Sequence, residues 1–247
     1  MECNLTTAFI MLIIFVSTLI RATFGFGNAM LAMPLLALFL DMRTVTPLVA
    51  VVALTIAVMI LAGHWRDVHP ESAWRLIVST LAGMPFGLLL LMAASEVSLK
   101  ILLSCLLILF SLNSLAGPKW PKLKSNRWAF GFGFVAGILL SALNTNGPVV
   151  VIFGALRKWK PAMLRATLQG YFLPTAALVV AVHGFGGLLT REVLGYYIGS
   201  LPLVVAAVLL GNRLHGRIPA YRYDQAVFVL LLSVGVFLLA STIPGLL

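Results

Sequence analysis

The sequence is poor in charged residues, and acidic residues are the scarcest. Aspartate and glutamate together number 7 against 17 lysines and arginines, and charged residues make up only 10% of the 247-residue chain. A soluble domain typically has about 25% charged residues. Because 61% of the residues are hydrophobic, a water-soluble fold of this length would lack the polar surface to cover its core. The composition therefore excludes an ordinary soluble domain.

Cysteine is also scarce, and so are the motifs of enzymes. Cys3 and Cys105 offer neither a disulfide framework nor metal-ligand spacing. There is no HExxH, GxSxG or Walker A motif, and no acidic pair lies within an apolar run. We therefore expect no catalytic residue, no metal and no cofactor. The chain is predicted not to be an enzyme, and any transport must be driven by a gradient or by the membrane potential.

Long uncharged runs dominate the rest of the chain. A helix needs about 20 apolar residues to cross the hydrocarbon layer of a bilayer, which is about 30 Å thick. Strands of a membrane barrel would alternate apolar and polar residues, and these runs do not alternate. The sequence therefore predicts an all-α integral membrane protein that crosses the membrane several times. The runs comprise residues 44–63, 76–95, 101–118, 128–156, 166–190, 193–212 and 225–247, and a first stretch, 3–40, is interrupted by Arg21.

The chain looks like two repeats. Each half opens with an apolar stretch broken by a Gly/Asn cluster, Phe24 to Asn28 in the first half and Asn144 to Pro148 in the second, and three further spans follow. We expect a first transmembrane repeat at 1–118, a basic cytoplasmic linker at 119–127 and a second transmembrane repeat at 128–247. No basic segment precedes the first apolar stretch, which we interpret as mature sequence rather than a signal peptide.

The distribution of lysine and arginine predicts the topology. If each broken stretch crosses the membrane once, the basic residues divide nine to seven between the two sides. If each broken stretch is a re-entrant hairpin, 13 lie on one side and 3 on the other, with Arg21 inside the membrane. Basic residues concentrate on the cytoplasmic side, so this count favours the hairpins. One hairpin and three spans per half also inverts the second repeat relative to the first, an arrangement common in transporters. Both termini would lie outside.

Arg21 is the strongest candidate for a binding residue. A charge near the centre of the bilayer costs at least about 2.5 kcal/mol, and such residues usually face an aqueous cavity or a bundle interior. No carboxylate lies in the apolar runs to neutralise this arginine, so we expect its partner to be a bound anion. The alternative is a structural arginine that snorkels or binds backbone carbonyls.

The two breaks point to the same chemistry. Asn28 is expected to cap a helix that resumes at Ala29, and Asn146 a helix that begins near Pro148. Each helix start would present free N–H groups and a positive dipole end within the membrane. The alternative is that glycine and proline are simply common in membrane helices. We predict that the breaks bind substrate through Gly25, Gly27, Asn28, Asn144, Thr145, Asn146 and Gly147.

Four polar residues elsewhere are weaker candidates. Gln169 and Tyr171 follow the second break and are predicted to contact the substrate, although hydrogen bonds between helices would explain them equally well. His64 and His183 occupy similar places in the two halves. Either could carry a proton, but we favour interfacial polar residues.

The breaks and the two four-segment halves resemble those of the TauE/SafE family of sulfite-exporter-like proteins. The resemblance covers essentially the whole chain and rests on Gly25-Phe26-Gly27-Asn28 with Pro34, and on Asn144 to Pro148. Family members often have a run of glycines at these breaks, from which Phe26, Asn28 and Asn144–Asn146 depart. The resemblance implies a transporter, in the cell membrane (the inner membrane of a bacterium), for sulfite, an organosulfonate or a related small anion.

We therefore predict an exporter of a small anion that is bound at the midplane between the two helix breaks. A negative cytoplasm drives each exported anionic charge with about 2.3 kcal/mol per 100 mV, so efflux needs no coupled proton. An anion channel with the same lining and a membrane assembly factor are the alternatives. The expected partners are the anion and the lipid bilayer. We attribute the net charge of +10 to basic residues on the cytoplasmic side of the membrane and predict no binding of nucleic acid. Whether the chain forms a homo-oligomer is left open.

Overall fold

The computed structural model describes residues 5–24, 27–64, 70–117, 123, 125–159, 161–214 and 220–243. All secondary structure in these residues is helical, as the composition predicts. In chain order the helices are α1 (Leu5–Phe24), α2 (Asn28–Leu36), α3 (Met42–His64), α4 (Pro70–Ala93), α5 (Glu96–Ala116), α6 (Trp128–Leu143), α7 (Gly147–Leu156), α8 (Pro161–Phe185), α9 (Arg191–Leu214) and α10 (Ala220–Thr242).

The described helices differ in length, and α6, with 16 residues, is intermediate between the long and the short ones. Five are long and apolar enough to cross a membrane: α1, α3, α4, α5 and α9. α8 and α10 contain shorter apolar segments, Gly170–Phe185 and Phe228–Thr242. α2 and α7 have only 9 and 10 residues. At 1.5 Å per residue, each of these two reaches about half-way across a bilayer.

The short helices follow the two sequence breaks. Between α1 and α2, Gly27 has φ 102°, a left-handed conformation that glycine adopts without steric cost. Between α6 and α7, Asn144 ends the helix with φ 54°, a value that asparagine tolerates better than most residues. Pro148 follows in the first turn of α7, where its missing N–H breaks no hydrogen bond.

Each short helix brings the chain back towards the start of the long helix before it. The ring of Phe39, just after α2, stacks on Phe9 near the start of α1 at 6.0 Å between centroids. In the second half, the N–H of Leu123 donates to the Leu156 carbonyl at 2.9 Å, and Arg157 donates to the Leu123 carbonyl at 2.8 Å. The residues on either side of each broken segment therefore lie in contact.

The broken segment of each half packs on a helix of the other half. α6 packs along α4 so closely that a Cβ on Gly83 would lie 2.1 Å from the Phe134 carbonyl oxygen. α1 packs along α9, where a Cβ on Gly211 would lie 2.4 Å from the Cβ of Ala22. α3 and α8 pack on each other between these pairs, so both breaks meet the middle of the bundle.

Candidate functional site

A cavity of about 50 Å³ lies where the two breaks meet. Its lining comes from the two breaks and from residues near the middle of α3 and α8, so four separate parts of the chain contribute to its wall. The first break supplies Arg21, Gly27, Asn28, Ala29 and Met30, the second supplies Leu140, Asn144, Thr145, Asn146 and Gly147, and the two central helices supply Ala53, Phe172, Thr175 and Ala176.

Arg21 supplies positive charge to this cavity. It lies near the end of α1 and is only 7% exposed. Its guanidinium carbon lies 5.4 Å from the centroid of the Phe172 ring, an attractive cation–π distance. No residue that the structure describes forms an ion pair or a hydrogen bond with this guanidinium. The cavity therefore holds a buried cation that no acidic side chain of the described chain neutralises.

Asn28 adds an amide with no partner. It is the first residue of α2 and 1% exposed. Neither its Oδ1 nor its Nδ2 has a hydrogen-bond partner among the described residues. A buried polar group without a partner costs about 1–3 kcal/mol, and native proteins contain few of them. Nδ2 of Asn28 is therefore free to donate a hydrogen bond into the cavity beside an unneutralised arginine.

Two polar residues of the second break are bonded to the protein itself. Asn144 Nδ2 donates to the Thr46 carbonyl on α3 at 3.2 Å, and Thr145 Oγ1 donates to the Leu143 carbonyl at 2.8 Å. Both residues line the cavity, but part of their hydrogen-bonding capacity is already used.

Neither asparagine caps its helix, so the capping predictions are wrong. The cap position before α2 belongs to Gly27, and Asn28 is already helical. Asn146 does stand at the cap position of α7, but its side chain makes no capping hydrogen bond. Among the described residues, no side chain caps the first-turn N–H groups of either helix. Together with the dipoles of α2 and α7, they favour negative charge in the cavity.

A family model described as "Sulfite exporter TauE/SafE" matches residues 10–238. The chain belongs to the TauE/SafE family. The family's description is that of a membrane exporter and not of an enzyme.

The TauE/SafE chain is also similar to a protein of Comamonas testosteroni named "Probable inner membrane transporter protein TsaS". The two are 32% identical over 109 residues, which is 44% of this chain and 45% of that protein. The match therefore spans less than half of the relative's length. No solved structure gives a significant match to the chain. The predicted location in a cell membrane agrees with the relative's name and with the five apolar helices.

Seven of the ten predicted site residues of this TauE/SafE protein line the cavity: Arg21, Gly27, Asn28, Asn144, Thr145, Asn146 and Gly147. Gly25 lies outside the described residues, and the same holds for the side chain of Gln169. Tyr171 is fully buried and lies behind the cavity wall rather than in its lining.

Sequence reasoning missed Phe172 and Thr175. Both line the cavity from α8, and Thr175 Oγ1 donates to the Tyr171 carbonyl at 2.7 Å. Thr175 lies one helical turn after Tyr171, so helical spacing from that residue could have found it. Phe172 is one of 15 phenylalanines in an apolar chain, and nothing in the sequence distinguishes it.

His183 is not the interfacial residue we favoured from the sequence. It is fully buried, because the end of α8 packs on α6, and its Nε2 lies 2.8 Å from the Ser141 carbonyl oxygen. Its Nδ1 has no partner among the described residues. The side chain of His64 lies outside the part of the chain that the structure describes.

Proposed function

We propose that this TauE/SafE protein exports a small oxyanion, sulfite or an organosulfonate, through one site between its two helix breaks. One observation carries the proposal: the buried guanidinium of Arg21 and the buried amide of Asn28 have no hydrogen-bond partner among the residues that the structure describes, and they share one cavity. Both groups lie where the two breaks meet, beside the middle of α3 and α8.

The chemistry of these groups fits an oxyanion. A guanidinium donates two parallel hydrogen bonds to a group with two or more oxygens, as in a carboxylate, sulfite or sulfonate. Asn28 Nδ2 can donate a third, and the first-turn N–H groups of α2 and α7 can donate more. The anion would both neutralise Arg21 and accept a hydrogen bond from Nδ2 of Asn28.

The size of the cavity limits the substrate. Pockets for drug-sized ligands have volumes of about 300–1,000 Å³, whereas this cavity has about 50 Å³. It therefore suits an anionic head group of a few heavy atoms, such as sulfite or the sulfonate of a small organosulfonate. A bulky organic acid would need the helices to move apart.

Energetics support export, and the relative's name supports an inner-membrane location. With a negative cytoplasm, each anionic charge that leaves gains about 2.3 kcal/mol per 100 mV. A similar protein is named a probable inner membrane transporter, and we assign this chain to the same membrane. Outward movement then requires no second substrate.

The proposal is tested by ligand-induced stabilisation of the purified protein. Sulfite and methanesulfonate should raise the melting temperature saturably, because a ligand at 100 times its Kd stabilises the folded state by about 2.7 kcal/mol. Chloride and acetate at equal ionic strength control for salt effects. An absence of any saturable shift with either sulfur oxyanion would reject the proposal. Saturable uptake into proteoliposomes would then exclude the channel alternative, which predicts single-channel currents.

We also propose that both broken segments are re-entrant hairpins and that the repeats are inverted. The stacking of Phe9 on Phe39 and the hydrogen bonds between Leu123 and the end of α7 support a return of each segment to the side that it entered. The packing of α4 on α6 and of α9 on α1 supports the inversion, since each half then makes the same contact with the other. The linker at 119–127 would be cytoplasmic.

Single cysteines test this topology in a background where Cys3 and Cys105 are replaced by serine. Ser125→Cys and Met163→Cys should be labelled only from the cytoplasmic side. Ser98→Cys and Glu192→Cys serve as opposite-side controls and should be labelled only from outside. All four positions are exposed. Labelling of residues 125 and 163 from opposite sides would exclude the hairpin in the second half.

A further inference from the structure

We propose that Phe172 is a positioning residue for Arg21, whose ring holds the guanidinium so that the N–H groups face the bound anion. This inference rests on the proposed function. Phe172 lines the cavity from α8, and the guanidinium carbon of Arg21 lies over its ring at 5.4 Å from the centroid. With no hydrogen bond or ion pair from any described residue, the guanidinium has the face of this ring as its electrostatic partner.

The ring and an anion can engage the same guanidinium at the same time. The face of an aromatic ring attracts a cation through its quadrupole, and it accepts no ordinary hydrogen bond. The N–H donors of Arg21 therefore stay available to the oxygens of a ligand. Because the ring and the ligand do not compete for these donors, the contact with Phe172 is kept when the anion binds.

The ring of Phe172 is itself held in place by its neighbours. It lies tilted against the fully buried ring of Tyr171, at 5.9 Å between centroids, and the Tyr171 hydroxyl lies 2.8 Å from Thr80 Oγ1 on α4. A Cβ built on Gly147 would lie 3.9 Å from Cζ of Phe172, so the tip of the ring reaches the first residue of α7. One ring thus contacts the cation of the first break and the helix start of the second.

Holding Arg21 in advance should improve affinity. A ligand that must immobilise one long side chain on binding loses about 2- to 13-fold in affinity. A guanidinium that is fixed before the anion arrives avoids this loss. Phe172 therefore acts on the Kd through Arg21 and not through a bond of its own to the anion.

Phe132 on α6 is a matched control. Phe132 and Phe172 are both partly buried and pack against the same cluster of buried residues, which includes Phe153 and Tyr171. Each ring also lies tilted against one aromatic ring of that cluster, Phe132 against Phe153 at 5.3 Å and Phe172 against Tyr171. Phe132 does not line the cavity, and among the described residues no cation lies over its ring. Phe132→Leu therefore removes an equivalent ring without touching the site.

The first test compares the Kd of sulfite and methanesulfonate for wild type, Phe172→Leu and Phe132→Leu. Leucine keeps an apolar side chain but removes the ring face. We expect Phe172→Leu to weaken binding by about 2- to 13-fold and Phe132→Leu to leave the Kd within about two-fold. Both variants lose a packed ring and should lose melting temperature, so a merely structural role for Phe172 predicts the same Kd in both.

Fluorinated phenylalanines supply a second test, which keeps the shape of the ring if Phe172→Leu folds poorly. Mono-, di- and trifluorophenylalanine withdraw electron density from the ring face in steps, so its attraction for a cation falls in steps. Along this series at position 172, we expect the melting temperature without ligand to fall and the Kd to rise. The same series at position 132 should change neither, and in Arg21→Gln the trend in melting temperature at position 172 should vanish.

Three results would overturn the positioning role and leave the proposed function standing. They are a wild-type Kd in Phe172→Leu, an equal loss of binding in Phe132→Leu, and a fluorination series at position 172 without a trend. Failure of wild type to bind either anion would overturn the proposed function, and the positioning role with it.

Discussion

The two helix breaks are alike in backbone but differ in what their side chains do. Each ends a long helix, starts a short one and lines the same cavity. In the first break, Arg21 and Asn28 have no hydrogen-bond partner among the described residues. In the second, Asn144 and Thr145 both bond to the surrounding protein. The comparison teaches that two copies of one backbone arrangement can have different roles. The first break supplies side chains that are free to bind, and the second supplies side chains that are held by the protein.

The sharpest test of this division is Asn28→Ala. The change removes a buried amide that has no partner in the unliganded protein, so the unliganded variant should be at least as stable as wild type. Binding should weaken by roughly 10- to 150-fold, since a hydrogen bond to a charged group contributes about 1.5–3 kcal/mol. Thermal melts give the first quantity and an anion titration of the melting temperature gives the second.

A smaller effect on binding is expected from Asn144→Ala, with the opposite pattern. This change removes the hydrogen bond to the Thr46 carbonyl and places alanine at φ 54°. We expect a loss of about 1–3 kcal/mol in unfolding free energy and a change of less than about three-fold in Kd. The two breaks would not differ as described if both asparagine variants lost stability and kept the wild-type Kd. The same would follow if both kept their stability and lost binding.

The helices and the membership of the site could be predicted from the sequence. Long uncharged runs leave no alternative to helices, and the Gly/Asn clusters mark where those helices are interrupted, so seven predicted residues line one cavity. The capping roles could not be predicted, because a shift of one residue in the helix start moves Asn28 from the cap position into the first turn of α2. Phe172 and the burial of His183 depend on how α8 packs, which local spacing does not encode.

The central claim is that Arg21 binds the anion, and ligand-induced stabilisation of Arg21→Gln tests it most directly. The account predicts that Arg21→Gln folds with a melting temperature no lower than wild type, because removing an unneutralised buried charge relieves a desolvation cost. It should lose stabilisation by sulfite and methanesulfonate, and Arg21→Lys should recover only part, because an ammonium lacks the two parallel donors. A structural arginine predicts instead that Arg21→Gln misfolds. A well-folded Arg21→Gln protein that binds these anions with the wild-type Kd would contradict the account.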